Sequence, residues 1–163
     1  MKAERKYCTF KLAGNWYGLE VHYVQTVIQG YEITQVPLAA PDVAGMINLC
    51  GDIMMAINLR KRLGLPLSDY SKKNFHLVVQ VDGVCTSLIV DSVGDVVTLV
   101  DANALTPPES LNGLAQQLII GSYHSDNGTI LTIDTEKTVN VSCYKMQIVE
   151  EKNGEQSLKE SLN

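Results

Sequence analysis

The sequence predicts a mainly β protein built from small barrels. Three observations carry that expectation. Short β-prone segments follow one another closely, most are joined by Gly, Asn or Asp, and helix-compatible stretches are few and brief. Many short strands with frequent turns favour small barrels over a parallel sheet backed by helices.

Taken in order, Tyr7-Cys8-Thr9-Phe10-Lys11-Leu12 alternates as a half-buried strand does. Ala13-Gly14-Asn15 turns the chain, and Trp16 to Val21 returns as the second strand of a hairpin. His22 to Val27, with Val24, Val27 and Ile28 on one side, reads as one or two helical turns. Val36-Pro37, Pro41 and Gly45 punctuate a loop. Met46 to Ile57 reads as two strands joined at Cys50-Gly51-Asp52, and Asn58 to Gly64 as a short helix stopped by Gly64 and Pro66. Phe75 to Val81, Asp82-Gly83 and Val84 to Val90 make a second hairpin. Val93 to Val100 adds a strand, and Pro107-Pro108 begins a long loop. Leu118 to Tyr123, Asp126-Asn127-Gly128 and Thr129 to Ile133 make a third hairpin, because these turn residues accept positive φ. Asp134-Thr135-Glu136 has the form of an N-cap and first turn for a helix to about Val141. Asp91, which also ends a strand, is read as capping a turn. Residues 150–163 are polar and read as a loose tail, which leaves 1–149 as one domain.

At 163 residues, with 45% hydrophobic, the chain can bury a proper core, while 19% charged residues leave some surface apolar, the usual mark of a partner site. A net charge of −5 argues against nucleic acid. The basic runs Arg60-Lys61-Arg62 and Lys72-Lys73 read as a solvated helix face and loop, with a docking patch for an acidic partner as the alternative. Cys8, Cys50, Cys85 and Cys143 lack metal-ligand spacing, as in a reduced cytoplasm. The most apolar stretch, Leu38 to Leu59, contains Pro41, Asp42, Gly45, Gly51 and Asp52, which a membrane span would not tolerate.

No catalytic motif is present, and His22, His76 and His124 stand far apart in sequence. Neither an enzyme nor a cofactor or metal protein is expected. Cys50, with Asp52 beside it, reads as an inert thiol rather than a redox centre. Met46, Met54 and Met55 form a group that suits either core or an adaptable surface.

The segments Tyr7-Cys8-Thr9-Phe10-Lys11-Leu12 with Trp16-Tyr17-Gly18-Leu19, Val24-Gln25-Thr26-Val27-Ile28 and Val36-Pro37 come first. Val43-Ala44-Gly45-Met46-Ile47-Asn48-Leu49-Cys50-Gly51, Ile57-Asn58-Leu59-Arg60, Leu88-Ile89-Val90-Asp91-Ser92-Val93 and Gly94-Asp95-Val96 follow. In this order and spacing, from Tyr7 to about Val141, the chain resembles the CheW-like domain family. The resemblance implies two intertwined SH3-like five-stranded β-barrels packed side by side, with a few short helices. The first strand and the C-terminal part would share one barrel, and the middle of the chain would form most of the other. It also implies a cytoplasmic, non-catalytic adaptor recruited to membrane receptor arrays. Such an adaptor couples a chemoreceptor hairpin tip, held in a groove between barrels, to the regulatory domain of a CheA-type histidine kinase. No nucleic-acid partner, no membrane insertion and only weak self-association are expected.

By position in the family, Val24, Thr26, Val27, Val36, Gly45, Asn48, Cys50, Asp91 and Val93 fall at the receptor groove, with barrel core as the alternative for the valines. Met46, Met54, Met55, Arg60 and Arg62 are candidates for the kinase side. The chain departs from the family where an arginine usually stands at Cys50, a glutamate at Thr26, an aspartate at Asn58 and a proline near Met55. Losing arginine and glutamate together avoids an unpaired charge, so the fold is expected to survive while the partner differs. Two alternatives remain. One is a scaffold or decoy of a chemotaxis-like (for example pilus) pathway without kinase coupling. The other is a small barrel enzyme or ligand-binding protein using His22, His76 or His124.

Overall fold

The computed structural model describes residues 3–67, 74–108, 111 and 113–140. Lys72, Lys73, Cys143 and the proposed tail at 150–163 lie outside them. The strands are β1 (Glu4–Leu12), β2 (Asn15–Glu20), β3 (Val24–Gln29), β4 (Val43–Leu49), β5 (Asp52–Asn58), β6 (Phe75–Val81), β7 (Val84–Val90), β8 (Ser92–Val100), β9 (Ile119–Ser125) and β10 (Gly128–Ile133). Two short helices, α1 (Leu59–Arg62) and α2 (Leu114–Leu118), are joined by helical residues at 135–140. The strands form two five-stranded sheets, ordered β8-β1-β2-β10-β9 and β3-β6-β7-β5-β4. Hairpins pair antiparallel, while β2–β10 and β5–β7 pair parallel. The first sheet therefore takes both ends of the described chain and the second takes its middle, as expected.

Turn chemistry explains the hairpins. Ala13-Gly14, Cys50-Gly51 and Asp82-Gly83 all combine two positive φ values: 50° and 82°, 53° and 91°, 50° and 79°. Positive φ at both central residues marks the type I′ turn, whose twist matches that of paired strands.

Two segments differ from the sequence reading. Of the expected helix at His22 to Val27, only Val21–Tyr23 makes a 3-10 turn, and Val24–Gln29 is β3. Val24, Thr26, Val27 and Ile28 are β-branched and favour an extended backbone, which pairs with β6. The long loop after Pro108 contains α2, whose five residues are too few to produce a helical period.

Both sheets curl. The Tyr7 and Tyr123 rings lie 6.2 Å apart, although β1 and β9 are three strands apart in the sheet. On a flat sheet that separation would be about 14 Å, at about 4.8 Å per strand. In the second sheet Ile28 of edge strand β3 and Ile47 of edge strand β4 share one cluster with Tyr31 and Ile33. Among the described residues no ladder joins the two edges of either sheet, so the curled sheets stay open in their hydrogen bonding.

The main core belongs to both sheets. Phe10, Leu12, Tyr17 and Leu19 meet Ile57, Leu77, Val79, Leu88 and Val90, with Leu59, Leu63, Ala115 and Leu118 at the margins. The opposite faces of β5, β6 and β7 bury Met54, Ala56, Val78 and Ile89 in a second, inner cluster. The central strands are buried on both sides, which accounts for the unbroken apolar runs Leu77-Val78-Val79 and Leu88-Ile89-Val90.

A histidine sits in this inner layer. His76 is 2% exposed, and its Nδ1 lies 2.9 Å from the Ser87 hydroxyl. Burial lowers its pKa, so the folded protein holds the ring neutral. The unfolded chain protonates near pH ~6.5. The stabilising contribution is thus complete above that pH and is lost as pH falls from there toward the lowered folded value. The slope is at most about 1.4 kcal/mol per pH unit. Thermal melts between pH 7.5 and 5.5 are expected to show this decline in the native protein, and a flatter profile in His76→Gln.

Candidate docking surface

Asp91 occupies the crossing from β7 to β8, where the chain passes from the second sheet to the first. Its carboxylate accepts the Ala13 N–H at 2.9 Å and binds Arg60 through Nε at 3.0 Å and through Nη2. Arg60 Nη1 donates to the Pro66 carbonyl at 2.8 Å, and the Asp91 N–H donates to the Lys11 carbonyl at 3.0 Å. Asp91 therefore caps a turn as expected, but the distant β1–β2 turn rather than its own. Arg60 and Asp91, expected on the kinase and receptor sides respectively, are two ends of one ion pair, with side chains 18% and 28% exposed.

Arg62 overturns the reading of Arg60-Lys61-Arg62 as a solvated face. Only Lys61 of the three is exposed, whereas Arg62 is 2% exposed. Arg62 Nε donates to the Thr138 carbonyl at 3.1 Å and Nη2 to the Lys137 carbonyl at 2.9 Å. Nη1 faces Asp42 Oδ2 at 3.6 Å. Burial lowers the guanidinium pKa, and Asp42 opposes that shift. On the other side the Tyr23 hydroxyl donates to Glu136 at 3.0 Å. Burial and then this bond push the phenol up to about 12. The helical segment at 135–140 follows β10 of the first sheet, so these two contacts strap it to the second.

The groove candidates divide by exposure. Thr26, Val27, Val36, Asn48 and Cys50 are exposed, whereas Val24 and Val93 are half-buried against the shared core. Asn48 Oδ1 accepts the Gly51 N–H at 2.9 Å and braces the Cys50-Gly51 turn. Gly45 is buried where the chain at Ile33-Thr34 crosses β4, and Thr34 and Met46 exchange two backbone bonds of 2.8 Å there. Of the kinase-side candidates, Met46 and Met55 are half-buried, while Met54 lies in the inner cluster and Arg62 in the strap just described.

A pair the sequence reading missed is Ile53 and Val84, 69% and 64% exposed. They stand near the starts of β5 and β7, ahead of the parallel ladder that runs from Met55–Thr86 to Asn58–Ile89. Val84 follows the Asp82-Gly83 turn directly and Ile53 stands one residue beyond the Cys50-Gly51 turn, so an apolar residue close to a turn was the available signal. On the first sheet Leu105 and Ile120 are also exposed, at 45% and 50%, and Leu105 bridges to Ser122 of β9.

The histidines occupy unrelated places. His22 is exposed beside Glu20, at 3.3 Å, and against the Tyr23 ring; His76 is sealed in with Ser87; His124 is exposed on β9. Among the described residues no group of three His, Cys, Asp or Glu could hold a metal ion, and no helix is long and apolar enough to cross a membrane.

Two curled five-stranded sheets on one shared core, with exposed apolar side chains on both, make a mainly β domain of two barrel-like halves. The chain belongs to the CheW-like domain family, whose profile matches residues 6–142. It is similar to the chemotaxis protein CheW of Bacillus subtilis, 29% identical over 68% of this chain and 71% of that protein. It is also similar to the chemotaxis protein CheW of Treponema pallidum, 23% identical over 79% and 78%. The crystal structure of scaffolding protein TtCheW from Thermoanaerobacter tengcongensis matches with a TM-score of 0.74 at 29% identity, covering 85% of this chain and 94% of that one. The protein is thus a chemotaxis scaffold of this family, which is non-catalytic.

Proposed function

We propose that the protein couples a chemoreceptor to a CheA-type histidine kinase, on the cytoplasmic face of membrane receptor arrays. The observation that supports this reading is that large apolar side chains stand exposed on both sheets, Ile53 and Val84 on the second and Val96 and Ile120 on the first. A coupling protein needs two docking surfaces held on one core, and apolar clusters with polar rims are what such contacts use. The receptor side is assigned to the exposed Thr26, Val27, Val36, Asn48 and Cys50, with Val24, Gly45, Asp91 and Val93 as the less exposed members of the set. The kinase side is assigned to Ile53 and Val84 with Met46, Met54 and Met55 of the same sheet, while the other two candidates, Arg60 and Arg62, follow the far end of β5, where Asp91 and the 135–140 segment hold them.

The test is calorimetric titration with the regulatory domain of a kinase from the same cell. Saturable one-to-one binding is expected at about −8 kcal/mol, a micromolar affinity. Ile53→Glu is expected to weaken it at least tenfold, about 1.4 kcal/mol, with an unchanged melting temperature because the side chain is exposed. No binding to any kinase of that cell would reject coupling in favour of a scaffold or decoy.

A further inference from the structure

Between Lys11 and Arg60 the chain carries the carboxylates Glu20, Glu32, Asp42 and Asp52 and no lysine or arginine. Glu20 is neutralised by Arg5 at 2.8 Å, and Asp42 faces Arg62. Arg60, the first cation after this stretch, is tied to Asp91. Among the described residues Glu32 and Asp52 have no ion-pair partner. Glu32 is exposed and lines an open cavity of about 320 Å³ with Gly30, Tyr31, Thr34 and Asn48, where among the described residues it is the only charged side chain. Hydrogen bonds fix the walls. The Gly30 N–H donates to the Asn74 carbonyl at 3.1 Å, Thr34 is bonded to Met46, and Asn48 is bonded to Gly51. The volume lies at the lower end of the range for small-ligand pockets, about 300 to 1,000 Å³, and has room for one long side chain.

We propose that this cavity is the selectivity pocket of the docking groove and takes a lysine or arginine side chain from a helical partner segment, with Glu32 as its counter-charge. This rests on the receptor-groove reading, since Asn48 belongs to both. A carboxylate without an ion-pair partner attracts a positive group and rejects another carboxylate, so it sorts partners by sign. The uncharged Cys50, exposed two residues beyond Asn48, leaves that sign intact where an arginine would cancel it.

The probe is the helical-hairpin tip fragment of each chemoreceptor of the same cell, titrated into the full chain. Glu32→Gln is expected to weaken tip binding about fivefold, and Glu32→Lys at least about thirtyfold, with unchanged melting temperatures and unchanged affinity for the kinase regulatory domain. Exchanging each tip lysine and arginine for glutamate in turn is expected to yield one variant that binds Glu32→Lys better than the native protein. Tip binding by Glu32→Lys within about twofold of native would overturn the pocket and leave coupling intact. Failure of every tip to bind the native protein would overturn the coupling reading itself and the pocket with it.

Discussion

Replacing Gly45 with alanine is expected to destabilise the protein by about 3–5 kcal/mol. A Cβ at this position would stand 2.2 Å from the Thr34 carbonyl oxygen and 2.8 Å from both its carbon and the Ile33 Cγ2. The oxygen belongs to a backbone held by two bonds to Met46, so it cannot swing aside as the tip of a side chain would. Gly45 also sits at φ +151°, where an L side chain is strained. Relief requires β4 and the crossing segment to part, which breaks both Thr34–Met46 bonds and withdraws Ile33 from the inner cluster. Denaturant midpoints should show the loss. Gly51→Ala serves as the control: it has φ +91° but nothing within 4 Å of a Cβ, and it should cost only about 1 kcal/mol. Equal effects at the two positions would show that backbone conformation, not the close approach, governs Gly45.

Asp91→Ala is expected to cost about 2–3 kcal/mol, below the range for a fully buried pair because solvent reaches both side chains. It strands the Arg60 charge and leaves the Ala13 N–H without its acceptor. Arg60→Ala alone should cost less, because the carboxylate keeps the Ala13 bond. The double variant should fall short of the sum by about 1–2 kcal/mol. A double-mutant cycle from chemical denaturation measures this directly, and additivity would mean that the node does not act as a unit.

The hairpins were legible because Gly14, Gly51, Gly83 and Gly128 mark the turns that join alternating segments. β3 was not, because Val24-Gln25-Thr26-Val27-Ile28 fits a short helical stripe and an edge strand equally well until β6 is there to pair with it. Alternation identifies the face on which Met54 or Ile53 lies, but not where the core ends along that face. One of these neighbours is buried and the other exposed. Arg62 could not be separated from Lys61 either, since its partners are carbonyls some 75 residues away. The absence of cations between Lys11 and Arg60 was visible in the sequence. Its meaning depended on Glu20 and Asp42 being neutralised, which only long-range geometry shows.

The nesting of the second sheet inside the first has a consequence for biosynthesis. A chain leaving the ribosome can assemble β3 to β7 from one continuous stretch, while β1 and β2 wait for β8 on one edge and β10 on the other. Trp16 pairs with Ile130, a contact that closes only after nearly all of the described chain has emerged. Contacts this distant in sequence are slow to form, and unsatisfied strand edges invite association with other chains in the meantime. The N-terminal hairpin is therefore the part of this protein most exposed to misassembly before translation ends.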